Sequence, residues 1–306
     1  MKIKEPFHEG ELQVQKKAGE EAIAQRNGVV IANEILRGGL PFIRQQPMVV
    51  LGSVDELGSV WASILTGDRG FMDADEHSLE LNLTRVDKNP EDPFWTNIKT
   101  DRRLGVLVID LGTRRRLRIN GEVSAYDQEK IQLSVIESYP NCPKYIQRRH
   151  VLGTFPAKSS PPTKPQNGTS LTADQQRFIT QADTFFIASL HPQRGIDASH
   201  RGGNPGFISI LNEKKIRIPD YSGNSLFNTL GNLTSDPRAG LIFLDFDRGR
   251  TLQLVGHGEI QWDQEDSANK TGGTKRFWNF AIERWLELDL PRPLEWEFLD
   301  SSPFNP

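Results

Sequence analysis

The sequence predicts a mainly β protein built as two small barrels in one chain. Three observations carry this. Short apolar runs of strand length outnumber the helical segments. A block of sequence ahead of a proline-rich stretch returns behind it. The 306 residues leave room for two domains at about 150 residues each.

Taken in order, Glu9 to Arg26 reads as a helix. Met48-Val-Val-Leu-Gly52 is a short strand, and Pro93 to Thr100 is a short helix before Gly105 to Leu111. That last run is continuously apolar, as for a strand buried on both faces. A Gly- and Arg-containing turn leads into the strand Leu117 to Val123, and Ile131, Leu133 and Val135 then alternate with polar residues. In the second half Thr184 to Leu190, Gly240 to Phe246 and Leu252 to Ile260 are strands, and Leu226 to Thr234 is a short helix. The i, i+4 sets Phe277, Ala281, Trp285 and Trp278, Ile282 predict a C-terminal helix over Thr274 to Leu288. Many short strands with few helices favour barrels over a doubly wound sheet. Trp61, Trp95, Trp278 and Trp285 read as core.

The division point is PAKSSPPTKPQNGTS, Pro156 to Ser170, with four prolines in fifteen residues. It predicts an extended linker between a first repeat, 1–155, and a second, 171–306. Val60 to Phe71 and Ile196 to Phe207 match at five of twelve positions without a gap, including Ala62/Ala198, Ser63/Ser199 and Gly67/Gly203. Further on, Asn97 to Asp110 parallels Asn232 to Asp245. Two such blocks in one order argue for duplication, a covalent version of a two-fold dimer.

The net charge of −3 argues against a general nucleic-acid binder, and no apolar run is long enough for a membrane helix. Met1 to Glu11 has no apolar core of a secretory signal, so the expected location is the cytoplasm. The single Cys142 excludes an internal disulfide and a multi-cysteine metal site, and no metal is expected. The phosphate loop G-x-x-x-x-G-K-S/T, the dinucleotide G-x-G-x-x-G, the metalloprotease H-E-x-x-H and the G-x-S-x-G elbow are all missing.

Ala198-Ser-His-Arg-Gly-Gly203, Pro219-Asp-Tyr-Ser-Gly-Asn224 and Phe227-Asn-Thr-Leu-Gly-Asn-Leu233 resemble the pyridoxamine 5′-phosphate oxidase-related, FMN-binding split-barrel family. More narrowly, the chain is similar to its two-repeat members, described as predicted flavin-nucleotide-binding proteins. Thr113-Arg-Arg-Arg116, Asn141-Cys-Pro-Lys-Tyr-Ile-Gln147 and Trp296-Glu-Phe-Leu also fit that group. The resemblance spans about residues 40 to 300. It implies a six-stranded Greek-key split barrel, FMN at a dimer interface, and redox chemistry. It fixes neither a substrate nor a catalytic residue.

The residues suit that cofactor. Arg201 offers a planar cationic fork, and Ser199, Ser222 and Asn224 are short donors. Gly202, Gly203 and Gly223 let backbone amides approach an anion. Tyr221 and Phe227 can pack on the ribityl chain or ring. His200, Pro219, Asp220 and Asn228 complete the expected cofactor set, with Lys144 and Tyr145 from the first half. Read blandly, the glycines are turns, Arg201 a surface charge and Tyr221 core. Arg114, Arg116 and Arg118 share a strand face, with Arg115 opposite; they read equally as a solvated hairpin or as an anion or flavin contact. Asn141 to Tyr145 is expected at a strand end before a short helix, and Cys142 as buried and inert. His200 and His257 are candidate ring donors.

In the gap-free alignment His200 and Arg201 stand where the first half has Ile64 and Leu65, and the 219–224 segment has no counterpart. A phosphate against Ile64 and Leu65 would be costly. One FMN per chain is therefore expected, cradled by the second half with the first as its partner wall. Two readings stay open: an FMN-dependent oxidoreductase using a small-molecule substrate or electron donor such as NADH or NADPH, or a non-catalytic flavin carrier or sensor. Split barrels also take deazaflavin or haem. Assembly as a monomer with an internal pseudo-dimer, or as a homodimer, is compatible with either.

Overall fold

The computed structural model describes residues 3, 5–154 and 164–306. An N-terminal arm comes first, with α1 (Glu9–Ala18) and α2 (Glu21–Gly28). The predicted helix Glu9 to Arg26 is thus two helices. A capping box between His8 and Glu11 starts α1, and Gly19 at φ 68° ends it.

After α3 (Leu40–Gln45) the first barrel comprises β1 (Met48–Val54), β2 (Val60–Thr66), β3 (Met72–Ala74), β4 (Ser78–Asn82), α4 (Phe94–Thr100), β5 (Arg103–Asp110), β6 (Arg115–Tyr126) and β7 (Lys130–Pro140). Then come β8 (Arg148–Thr154), β9 (Gln166–Gly168) and α5 (Ala173–Gln181). The second barrel holds β10 (Thr184–His191), β11 (Gly195–Gly202), β12 (Ser209–Asn212), β13 (Lys215–Pro219), α6 (Asn228–Ser235), β14 (Arg238–Leu244), β15 (Arg250–Gln261) and β16 (Phe277–Asp289). Finally β17 (Leu294–Asp300) pairs with β8, tying the two halves together.

The sheets run β2-β1-β5-β6-β7-β4-β3 and β11-β10-β14-β15-β16-β13-β12, the same order in the same sense. Where six strands per barrel were expected, each path has seven through the short hairpin partners β3 and β12, and β9 on β16 brings the second sheet to eight. No described helix is long and apolar enough to cross a membrane.

Three sequence expectations need correction. Thr274 to Leu288 is not a helix: Phe277–Asp289 is strand β16, paired to β15 and β13, and no C-terminal helix forms. A spacing of four is also twice the strand period of two, and the run holds four aromatic residues, a type that favours strands. Asn141 to Tyr145 leads through a turn into β8 rather than into a helix. Of the linker, 155–163 lies outside the described residues, and Gln166–Gly168 is an edge strand on Trp285–Glu287 of β16. All four tryptophans named above are buried, as expected.

Each barrel has its own apolar core, and a third cluster fills the space between them. It includes Val50, Ile64 and Leu107 from one barrel and Phe186, Ala198 and Ile242 from the other. At ~1.5–3 kcal/mol for each fully buried large side chain, this interface holds the barrels as one unit. Glycine sets its closeness. A Cβ on Gly105 would lie 2.6 Å from the carbonyl of Ile196, and one on Gly240 would lie 2.5 Å from that of Val60.

Candidate functional site

A cleft of about 920 Å³ opens between the barrels, walled by β11, the end of β13, the following loop and the start of α6 on one side. The first barrel supplies β6, Tyr139 of β7 and the turn Asn141 to Tyr145. Of the fourteen residues expected from sequence, thirteen line it: Ser199, His200, Arg201, Gly202, Pro219, Asp220, Tyr221, Gly223, Asn224, Phe227, Asn228, Lys144 and Tyr145. Ser222 is not in the lining; its carbonyl accepts the Tyr145 hydroxyl at 2.8 Å. His257 lies elsewhere, with Nδ1 3.1 Å from Glu283.

The main addition is a pair of arginines on β6. Arg116 and Arg118 point into the cleft from one strand face, as the alternation allows. Arg114 does not join them: it sits at φ 54° in the preceding turn and pairs with Asp300 at 2.5 Å. Arg115, on the opposite side, stacks over Phe42. Cys142 also lines the cleft and is partly exposed, not buried.

Arg118 is only 3% exposed and fully engaged. It donates to the Tyr139 hydroxyl and to Asn228 Oδ1, both at 2.5 Å, to the Ala198 carbonyl at 3.1 Å, and to Ser199 Oγ. Asp197 lies 3.7 Å away and in turn accepts from Asn120, Asn228 and Asn232. Burial works against the Arg118 charge, and Tyr139 and Asp197 outweigh it. Asp220 is likewise committed, accepting from Arg276 Nε at 2.7 Å.

Arg116 and Arg201 are different. Arg116 donates to the Cys142 carbonyl through Nε and Nη2, at 2.8 and 2.5 Å. Its Nη1 reaches His200 Nδ1 at 3.3 Å. Arg201 donates to the His200 carbonyl at 3.3 Å, while its buried Nε has no hydrogen-bond partner. Among the described residues neither forms a salt bridge. Burial and the nearby Arg201 push Arg116 down to about 9, and burial also depresses Arg201. Because a guanidinium only donates, His200 Nδ1 must accept and Nε2 carries the proton. Burial, Arg116 and Arg201 keep this imidazole neutral, with its pKa well below the usual value, and its Nε2 is also without a partner.

The mouth is aromatic. Tyr145 and Tyr221 stack at 4.8 Å, tilted by 40°. Burial raises Tyr145 to about 12, so its hydroxyl is a neutral donor at physiological pH. Lys144 rests over Phe304 at 5.6 Å. The loop ends with Ser225 and Phe227 at φ 63° and 60°, followed by the uncapped N-terminus of α6. Such an end presents unbonded amides to an anion.

At the corresponding place beside the first barrel lies a smaller cavity of about 440 Å³. The registers give the equivalences. Ile64 faces Val50 as His200 faces Phe186, and Leu65 faces Val49 as Arg201 faces Phe185. Counting from Gly105 and Gly240, Arg118 corresponds to Gln253 and Arg116 to Thr251. The positions of Arg116, Arg118 and Arg201 are thus uncharged here. Instead a half-buried Asp92 accepts from Ser63 Oγ at 2.6 Å, Phe94 N at 3.0 Å and Gln253 at 3.1 Å, and desolvation of its carboxylate raises its pKa.

With this geometry in hand, comparison with known proteins is direct. Residues 171–288, the second barrel, match the pyridoxamine 5′-phosphate oxidase family. The chain is a split-barrel protein related to that family. No curated protein matches it. Among solved structures, HupZ from Group A Streptococcus is 16% identical, with 39% of this chain and 99% of that chain covered and a TM-score of 0.31. A FAD-binding protein from Mesorhizobium loti is 10% identical, covering 42% and 99%, with a TM-score of 0.29. A pyridoxinephosphate oxidase family protein from Clostridium acetobutylicum is 12% identical, covering 38% and 81%, with a TM-score of 0.25.

Proposed function

We propose that the large cleft binds one FMN per chain and that the protein is an FMN-dependent oxidoreductase. One observation carries the reading: among the described residues the cations Arg116 and Arg201 form no salt bridge, Asp220 near Arg201 being already bonded to Arg276, and a buried guanidinium N–H of Arg201 is left over. A phosphate monoester carries about −2 at neutral pH, which balances two such groups. Its oxygens would take the free Arg201 donor and the amides at the start of α6. Arg118 and Asp197 neutralise each other and hold Ser199 and Asn228 in place across the barrel interface. The neutral His200 Nε2–H and the Tyr145–Tyr221 pair suit a polar aromatic ring system. FMN supplies hydride or single-electron transfer; the protein orients it, limits water and sets the local field.

The shared strand order and register support descent of both barrels from one duplicated unit, with repeats at 1–155 and 171–306. The second barrel then carries the phosphate and the first provides the opposing wall. A reduced nicotinamide nucleotide is the proposed electron donor, and the cytoplasm the proposed location.

The test is the visible spectrum of the purified protein together with released flavin measured against protein. One flavin per chain, bleached by NADH or NADPH and restored by air, is expected. A ratio of two overturns the single site, a Soret band replaces flavin by haem, and flavin that neither donor reduces leaves a carrier.

A further inference from the structure

The N-terminal arm precedes the first barrel in sequence but packs on the second. Three of its side chains hold three consecutive residues of the cleft loop. Asn27 Nδ2 donates to the Asn224 carbonyl at 2.8 Å, Ser225 Oγ donates to Glu20 Oε2 at 2.5 Å, and Gln15 Nε2 donates to the Leu226 carbonyl at 3.2 Å. All three loop residues line the cleft.

The loop needs holding. Ser225 and Phe227 are non-glycine residues in the left-handed region, at φ 63° and 60°. That conformation is unfavourable in isolation and persists where surrounding contacts determine it. It also sets the direction in which α6 begins. The arm is itself well anchored. A Cβ on Gly231 of α6 would come within 2.7 Å of the Glu11 backbone, so glycine allows α1 to lie directly on α6. His8 Nδ1 accepts from Gly10 N, and His191 Nδ1 accepts from Gln193 and Arg194 N. Their Nε2–H groups therefore donate, to Asn232 at 3.0 Å and Glu9 at 3.1 Å. The His8–His191 pair, with ring centroids 4.0 Å apart and tilted by 37°, consequently offers no lone pair to a metal and serves as a fastening.

We infer that the arm Glu9–Gly28 is a working part of the second barrel's site, with Gln15, Glu20 and Asn27 as positioning residues for the loop Asn224–Phe227. The inference rests on the cofactor reading above. None of the three lines the cleft, so they act through the loop: a loop held in its binding geometry spares the ligand the cost of ordering it.

The full chain and two variants decide this: Q15A/E20A/N27A, and Glu20→Gln, which keeps an acceptor oxygen for Ser225. Three measurements are made on each: FMN affinity, amide exchange of residues 224–230 in the flavin-free protein, and its melting temperature. The triple variant should bind FMN roughly tenfold more weakly. Its exchange should quicken at 224–230 while β10 and β14 stay protected, and Glu20→Gln should behave as wild type. Unchanged exchange at 224–230 overturns the inference. So does unchanged FMN affinity despite faster exchange, or exchange quickened throughout the second barrel with a matching fall in melting temperature, which marks a merely structural role. If the triple variant does not fold, Glu20→Ala alone against Glu20→Gln gives the same comparison. Wild type that binds no FMN removes the cofactor reading, and the exchange data then judge the positioning by themselves.

Discussion

Where β11 presents His200 and Arg201 opposite Phe186 and Phe185, β2 presents Ile64 and Leu65 opposite Val50 and Val49. Where β6 presents Arg116 and Arg118, β15 presents Thr251 and Gln253. Strand order and register agree between the barrels, so the strands do not distinguish the two cavities. Side-chain charge does. One cavity holds two guanidiniums that form no salt bridge among the described residues; the other holds a half-buried acid that already has three donors. An anion entering the second kind of cavity would meet Asp92 and no cation, in a medium where charges interact strongly. A pseudo-symmetric fold can thus keep both cradles as packing and only one with the charge to take an anion.

The comparison breaks most sharply if the large cleft is rebuilt as the small one. R116T/R201L installs the side chains found at the matching positions of the other barrel. With hydrogen bonds to charged groups contributing roughly 1.5–3 kcal/mol each, FMN affinity should fall by about two to four decades. The fold should persist, because Thr251 and Leu65 occupy the same register. A loss under about tenfold by fluorescence titration would dissociate these arginines from the cofactor.

Arg118→Gln copies Gln253 and tests the compensated cation. Removing it leaves Asp197 buried with amide partners only, so unfolding free energy in urea should fall by about 3 kcal/mol. An unchanged denaturation midpoint would mean that the ion pair at 3.7 Å contributes nothing net.

Arg201→Leu alone should weaken FMN about 10- to 150-fold at ~1.4 kcal/mol per decade. Riboflavin, lacking the phosphate, should lose much less. Equal losses for the two ligands would place Arg201 against the ring or assign it to the fold.

The smallest effect concerns pH. Burial raises Glu11, beside the large cleft, to about 8, well above its unfolded value of 4.5. Between these values the folded state binds the extra proton, so stability is full below about 4.5 and declines as pH rises through 8. Glu11→Gln should flatten that decline in denaturant titrations from acid to alkaline pH. An unaltered slope would show that other groups, Glu137 at about 7 among them, carry it.

Much of the site was legible because it is local in sequence. Ala198 to Gly203 and Pro219 to Asn228 are short strings whose residue types suit an anion, and of the expected residues all but Ser222, Gly203 and His257 meet in the cleft. The asymmetry was legible too, since a gap-free alignment pairs Ile64 with His200 and the sheet registers repeat that pairing. Arg116 and Arg118 were visible only as an ambiguous hairpin face. What decides for them is Arg118's contact with Ala198 and Ser199, residues some eighty positions away. The Thr274 to Leu288 segment failed for a different reason: its spacing of four fits both periods, and only pairing with β15 and β13 selects the strand.

Periodicity and residue type act over a few neighbouring positions, so the runs of strand length and the unequal charge of the two matching blocks were already readable from the residues alone. The tertiary structure decided which cations lose their partners and what holds the binding loop. Those are properties of burial and register between distant strands. Arg116 and the His200–Arg201 strand meet only where the barrels close on each other, and Gln15, Glu20 and Asn27 reach the loop only because the arm crosses onto the other barrel.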